Sequence, residues 1–366
     1  MNLMSGSTTY SALNRKYSGM SAPSVRVIVD GTDLVNRLKC TITDVAVELT
    51  TGFEASGCTF TVTGEYEIEK SKFRSRGAVK YLQIGAKVEV NLGYMKRENV
   101  FYGYILEVEY VWSQHNGPEI RVTCADAKCL MMKSQRMEIL NDTKLTQAVN
   151  DILGQRPASA YMKGKEVDRL KLEGEIFRLP LESDYDFLLR YAEYTGCEFF
   201  IIQGKAYFRE QPASGAPIMT ISLRKGLLAA KVSQRGGKLV KEVEVAGIDP
   251  ENGKGISGNA RAKGSFSQGA SANKTISNTT RSYFDENITS AREATARAKI
   301  IMEALQKDFM VIRAKCVGIP EIVPGRFIKL QGLAPNVNKT WYIQSVRHTV
   351  DERGFTTEFE ARVDSL

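Results

Sequence analysis

Two parts of this chain, far apart in sequence, are written to one pattern. In the first, Gly85-x-x-Val88-x-Val90 precedes Tyr104-Ile105-x-x-Val108-x-Tyr110, and Gly117 then opens a last strand. In the second, Gly325-x-x-Ile328-x-Leu330 precedes Tyr342-Ile343-x-x-Val346-x-His348, and Gly354 does the same. Spacing inside the motifs is identical, and the intervals between them differ by one or two residues, as loops do. The pattern predicts one β module used twice. A subunit with two equivalent modules can present six similar faces as a trimer.

The surrounding text is β-rich. Short alternating runs at 25–29, 42–49, 58–62, 88–92, 100–111 and 119–125, punctuated by Gly and Asn, predict a barrel or sandwich. After Pro217, strands resume at 218–223, 227–232 and 239–246, and the chain closes with strands at 310–318, 327–330, 341–350 and 356–363. An Ala-rich amphipathic helix is expected over 288–305. Before it, residues 248–283 are loaded with Gly, Ser, Asn and Lys, which predicts a segment either mobile or ordered by an assembly partner. The first 22 residues lack periodicity and read as a flexible arm whose ordering is left to a partner.

Between the β segments the texture changes to mixed α/β. Asp142 or Thr143 can cap a helix carrying Leu145, Ala148, Val149 and Ile152, ended by Gly154 and Pro157. Further on, Ser183 stands at an N-cap and Asp186 supplies a capping-box carboxylate. Phe187, Leu188, Tyr191, Ala192 and Thr195 share one helical face, and Gly196 stops the helix. Strands follow on either side of a Gln203-Gly204 turn, as a hairpin. The expected fold is α+β, mainly β: a flexible arm (1–22), a first tube-like β-barrel (23–135), an α/β middle domain (136–215) and a second tube-like β-barrel (216–366).

Catalytic chemistry has little to work with. Most of the six cysteines sit in step with apolar strand neighbours, as Cys58, Cys124 and Cys316 do, and read as small core residues. Cys124-x4-Cys129 has the wrong spacing for a zinc knuckle. Of the two histidines, His115 lies in a polar turn and His348 takes the place of Tyr110 in the repeat, as an apolar ring with a hydrogen-bonding tip. Glu182, Asp184 and Asp186 invite a glycosidase reading, but helix capping and the helix dipole explain them more simply. Gly253 to Gly258 lacks the spacing of a phosphate loop. No catalytic residue, cofactor or metal is expected. A net charge of +8 is spread widely, its densest run being Lys70, Lys72, Arg74 and Arg76, an exposed loop that is a candidate for partner or lumen contact. No apolar run approaches the ~20 residues of a membrane span, and the polar N-terminus lacks a secretory h-region.

The segment Glu182-Ser183-Asp184-Tyr185-Asp186-Phe187-Leu188-Leu189-Arg190, followed by a hairpin turning at Gln203-Gly204-Lys205, resembles the ESDxDFxxR segment of the late control protein D family of tailed phages. The same segment marks the N-terminal hub part of VgrG-type spikes of type VI secretion. Gly196, Pro324, Gly325, His348 and Gly354 fall in further stretches similar to that family, and the likeness spans about residues 24–366. What the resemblance implies is a structural baseplate hub of a contractile tail or a phage-tail-like injection particle, assembled in the bacterial cytoplasm. It would be a homotrimer whose paired barrels adapt a sixfold tail tube protein to a threefold spike protein, among other baseplate proteins, with DNA or effector passing through its lumen. Nothing after residue 366 supplies a spike, so the spike is expected to be a separate chain. The alternatives are a tail-associated peptidoglycan hydrolase using Glu182 and Asp184, and a nucleic-acid-binding β protein.

Overall fold

The computed structural model describes residues 3–363 apart from 64–65, 71, 74–75, 114–117, 136–143, 171, 173–175, 263–273 and 308. The first β segment contains β1 (Ser24–Val29), β2 (Thr32–Asp33), β3 (Thr41–Thr50), β4 (Gly57–Thr63), the short pair β5 (Tyr66–Glu67) and β6 (Lys72–Phe73), β7 (Lys87–Gly93), β8 (Arg97–Val111) and β9 (Glu119–Ala125). The middle segment contributes β10 (Gly164–Val167), β11 (Cys197–Ile202) and β12 (Lys205–Glu210). The second β segment holds β13 (Pro217–Ser222), β14 (Leu227–Gln234), β15 (Glu242–Ile248), β16 (Gly255–Arg261), β17 (Thr280–Phe284), β18 (Met310–Val317), β19 (Phe327–Gln331), β20 (Thr340–Asp351) and β21 (Gly354–Val363). The helices are α1 (Tyr10–Lys16), α2 (Arg76–Tyr81), α3 (Lys128–Lys133), α4 (Leu145–Gly154), α5 (Asp184–Thr195) and α6 (Ala291–Lys307).

The repeat is structural down to individual hydrogen bonds. Gly85 and Gly325 both adopt positive φ, +86° and +78°, where a side chain is strained. The Gly85 N–H donates to the Ile105 carbonyl at 2.8 Å, and the Gly325 N–H donates to the Ile343 carbonyl at 2.9 Å. Beyond these elbows Lys87 faces Tyr104 and Phe327 faces Tyr342. Both modules then break register at one place: between Ile105 and Glu107 where β8 meets β9, and between Ile343 and Ser345 where β20 meets β21. Such a bulge inserts one residue and increases the local twist. After it, Val108 faces Val122 as Val346 faces Phe359, and Tyr110 faces Ile120 as His348 faces Thr357.

The two modules are not separate bodies. β3 pairs antiparallel with β20, Thr50 against Ser345 through Val45 against Val350, and this joins both modules in one thirteen-stranded sheet. Along the path the order is β14-β18-β21-β20-β3-β4-β9-β8-β7-β1-β2, with β13 and β19 attached at β20. The period of two shows plainly in β21, where Phe355, Thr357, Phe359, Ala361 and Val363 turn inward and the residues between them do not.

Two expectations are corrected. The arm is folded onto its own chain: Thr9 caps α1 by accepting from the Ala12 N–H at 3.1 Å, and Leu3, Leu13 and Tyr17 are buried. Leu13 and Tyr17 are four apart, one turn, so a short apolar stripe was enough to dock a segment too polar to look structured. Residues 248–283 are likewise ordered by the chain itself where described. β16 and β17 flank β15 in a three-stranded sheet covered by α6. Gly258 makes the close fit possible, since a Cβ there would stand 2.3 Å from the backbone of Thr295 in α6. The helix expected from 288 begins at Ala291, because Ser290 and Glu293 form the capping box that starts it: the Glu293 carboxylate accepts from the Ser290 N–H, and the Ser290 hydroxyl accepts from the Glu293 N–H.

Candidate functional site

The sheet presents one polar face built from cross-strand rows. Lys231, Arg313, Glu360, Ser345 and Thr50 stand opposite one another across β14, β18, β21, β20 and β3, and Ala229, Lys315, Glu358, Arg347 and Glu48 form the next row. Opposite charges fall on adjacent strands: Arg313 to Glu360 at 2.5 Å, Lys315 to Glu358 at 2.9 Å and Arg347 to Glu48 at 3.0 Å. These pairs are exposed, so each contributes little stability, and their consequence is register and solubility. They line a hollow of about 600 Å³ that crosses the junction of the modules. The same face continues into the first module, where Glu109 stands opposite Arg121.

The middle unit grips both modules at their equivalent elbows. Tyr161 donates to the Gly85 carbonyl at 2.8 Å, and Arg209 donates to the Gly325 carbonyl at 2.6 Å. Gly204, at the hairpin turn with φ +78°, lies against Tyr102, leaving no room for a Cβ. On the second module, Arg209 also pairs with the buried Glu198 at 3.0 Å, and the Tyr342 hydroxyl donates to the same carboxylate at 2.6 Å. Burial raises the Glu198 carboxyl, partly offset by Tyr342 and Arg209, and burial likewise drives the Tyr342 phenol upward.

A third clamp comes from α1. Lys16 reaches Glu98 of β8 and Glu321 before β19, both at 2.6 Å, and Tyr17 donates to Glu321 at 2.7 Å. Burial alone would lower the Lys16 ammonium, but the two carboxylates outweigh it and hold it above its ordinary value. Burial, reinforced by Glu321, raises the Tyr17 phenol.

The family-motif residues are brought together around α5 and used up there. Ser183 caps the helix, accepting from the Asp186 N–H at 3.0 Å, and gives its own proton to the Asp186 carboxylate at 2.6 Å. The short Asp side chain thus takes the cap hydroxyl. Glu182 accepts two bonds from Arg190, at 2.7 and 2.9 Å, and another from the Leu179 N–H. Asp184 pairs with Arg178 at 2.7 Å. Phe187 is fully buried against Tyr191, and Gly196 ends the helix at φ +72°. The Asp142 or Thr143 cap lies outside the described residues; α4 itself buries Leu145, Ala148, Val149 and Ile152 as expected.

Other expected residues are dispersed. Pro324 and Gly325 form the second elbow, and Gly354, at φ +113°, turns β20 into β21. His348 is wholly buried with Nδ1 2.9 Å from the Thr357 hydroxyl, and desolvation pushes it down to about 3, so it is neutral in the folded protein near pH 7. Lys70 is exposed and paired with Glu67; Lys72 begins β6 and Arg76 begins α2, while Arg74 lies outside the described residues, as does His115. The cysteines are free thiols, with Cys58, Cys124 and Cys316 buried and raised by desolvation. Among the described residues no group of acidic, His and Cys side chains could hold a metal, and no helix is long and apolar enough to cross a membrane. The anchors Tyr161, Glu198, Arg209 and Glu321 had no sequence signal, because each is defined by a partner distant in the chain.

The chain belongs to the family described as the Alg8 N-terminal domain, whose model matches residues 20–352. A search of curated protein sequences gives no match. Among solved structures, a tail protein from Neisseria meningitidis is similar with a TM-score of 0.70 at 12% identity, over 94% of this chain and 97% of that one. A 43 kDa tail protein of prophage MuSo2 from Shewanella oneidensis gives 0.67 at 14% identity, over 94% and 99%. An Escherichia coli component of the type VI secretion system, itself similar to bacteriophage T4 tail proteins gp27 and gp5, gives 0.53 at 12% identity, over 92% and 76%. The chain therefore has the mainly β, α+β fold of phage tail proteins.

Proposed function

We propose that this member of the family is a structural baseplate hub of a contractile tail or phage-tail-like particle, a trimer that adapts a sixfold tail tube to a threefold spike. The observation that carries the reading is the repeat: two modules with the same elbow, pairing and bulge, joined edge to edge in one sheet. Three such chains supply six near-equivalent positions while keeping true threefold symmetry. The fold shared with tail proteins and with a type VI secretion component supports the same role. On this reading the protein works within the baseplate, beside tube, spike and other baseplate proteins, and DNA or effector passes through its lumen. Lys70, Lys72, Arg74 and Arg76 are offered for partner or lumen contact.

The role is non-enzymatic. Glu182 and Asp184 are bound by Arg190 and Arg178 and by the helix start, which leaves neither placed as a free acid or base. Sedimentation of the full chain, alone and with tube and spike proteins, tests the proposal. A trimer that binds both is expected; a monomer in every mixture would overturn it.

A further inference from the structure

The first module carries two thiols at facing positions. Cys58 on β4 and Cys124 on β9 are direct partners across the antiparallel pair, and each is only 2% exposed. They belong to one buried row running from β20 to β8, in which His348 faces Val47, Val47 faces Cys58, and Cys124 faces Ile105. Two positions along both strands, the Asp126 N–H donates to the Ser56 carbonyl at 2.9 Å. The cysteines therefore occupy a hydrogen-bonded pair, with Cα atoms about 5.5 Å apart, inside the roughly 4.4–6.8 Å that a disulfide spans. The other four are not so placed: Cys197 faces Glu210, Cys316 faces Thr357, and Cys40 and Cys129 lie outside strands.

The second module shows what packing requires at the same place. The shared registers make Ile312 the equivalent of Cys58 and Ala361 that of Cys124, and these two face each other from β18 and β21. The position is filled there without sulfur.

We propose that Cys58 and Cys124 form a reversible cystine that locks β4 to β9, a modification site of the first module with no counterpart in the second. The oxidant is a small disulfide of the glutathione class. Once the strands part, one cysteine loses its proton to solvent, and its thiolate attacks a glutathione sulfur and expels glutathione thiolate. The second cysteine, deprotonated in turn, attacks the protein sulfur of the mixed disulfide and expels the other glutathione thiolate; each leaving thiolate takes up a proton. The protein gives up two electrons and two protons, and one small disulfide becomes two thiols.

Burial sets the conditions. Desolvation raises both thiols, and the nearness of Cys58 adds to it at Cys124. The closed module therefore holds them reduced, and oxidation waits for local opening. Facing β carbons in a sheet lie about 4.5–5.5 Å apart and a cystine needs about 3.8 Å, so the bond draws the strands together and reducing thiols reopen it readily. The loop it closes contains β7 and β8, which constrains the unfolded chain over much of the first module.

The full chain tests this. Purified reduced protein is incubated with oxidised glutathione at mildly alkaline pH, across urea concentrations below its unfolding transition, then alkylated, digested and read by mass spectrometry. The expected product is the Cys58–Cys124 cystine above every other pairing, formed faster as urea rises and reversed by dithiothreitol. The linked chain should show a folded-to-unfolded ratio about a hundredfold higher. A chain carrying Cys58→Ile and Cys124→Ala, which installs the second module's pair, should fold, and oxidised glutathione should leave its unfolding midpoint unmoved; Cys58→Ser serves the same purpose if that chain is unstable. Other pairings equal to the Cys58–Cys124 link, a reaction that stops at mixed disulfides, or a midpoint that still moves in the variants would overturn the site. A link that forms without raising stability would overturn the lock.

Discussion

The two β modules share elbow, strand register and bulge and differ at their edges. By contrast the first module has its β3 edge filled by β20, while β14 of the second has no further strand beyond it among the described residues. The interiors are held alike by packing, which tolerates sequence drift when size and polarity pattern are kept. The edges diverge because each meets a different neighbour, and the middle unit shows the same asymmetry. It holds Gly85 through one phenol hydroxyl and Gly325 through an arginine tied into a buried carboxylate.

That asymmetry can be broken one side at a time. Truncating Arg209→Ala strands the Glu198 carboxylate in a buried site and should cost about 3–5 kcal/mol in denaturant unfolding. Tyr161→Phe, its counterpart on the first module, should cost only about 1 kcal/mol. Equal losses would show that the two elbows are held alike. Phe187→Ala, in the core of the unit that grips both, should also cost about 3–5 kcal/mol; a much smaller loss would mean that α5 packs on another face.

His348 and Tyr110 are equivalent positions with different chemistry, and acid separates them. The His348 imidazole titrates at about 3 when folded, against an ordinary 6.5. The unfolded chain therefore binds the extra proton between those values, so the contribution is complete above pH 6.5 and is lost as pH falls toward 3. A neutral His348→Gln variant should lose less stability on acidification, by a few kcal/mol on the order of the full shift. Parallel pH profiles for variant and parent would refute this. Smallest is the contrast between the elbows themselves. Gly325→Ala meets the Phe200 ring at 2.9 Å as well as an unfavourable φ and should cost about 2 kcal/mol, whereas Gly85→Ala meets only φ strain and should cost about 1 kcal/mol.

Much of this was legible in the sequence because it is local. Alternation gave the strands, a Ser-x-x-Asp start and a closing Gly gave α5, and matched spacing gave the repeat. What escaped depends on partners. Leu13 and Tyr17 are too few to mark α1 without the surface that receives them. The Gly and Ser of β16 look like loop composition until α6 is seen pressed on Gly258. The acidic motif marks a helix start, but the pairing of Glu182 with Arg190, eight residues on, and of Asp184 with Arg178, six residues back, leaves no local pattern. The junction of β3 with β20 has no local signature, since its two strands are nearly the whole chain apart.

The α1 clamp also orders events during synthesis. Tyr17 leaves the ribosome 304 residues before Glu321, which binds both it and Lys16. The clamp can therefore close fully only once residue 321 has been made. A product cut short before residue 321 keeps Lys16 on Glu98 alone, and so the closed clamp reports that translation has passed residue 321.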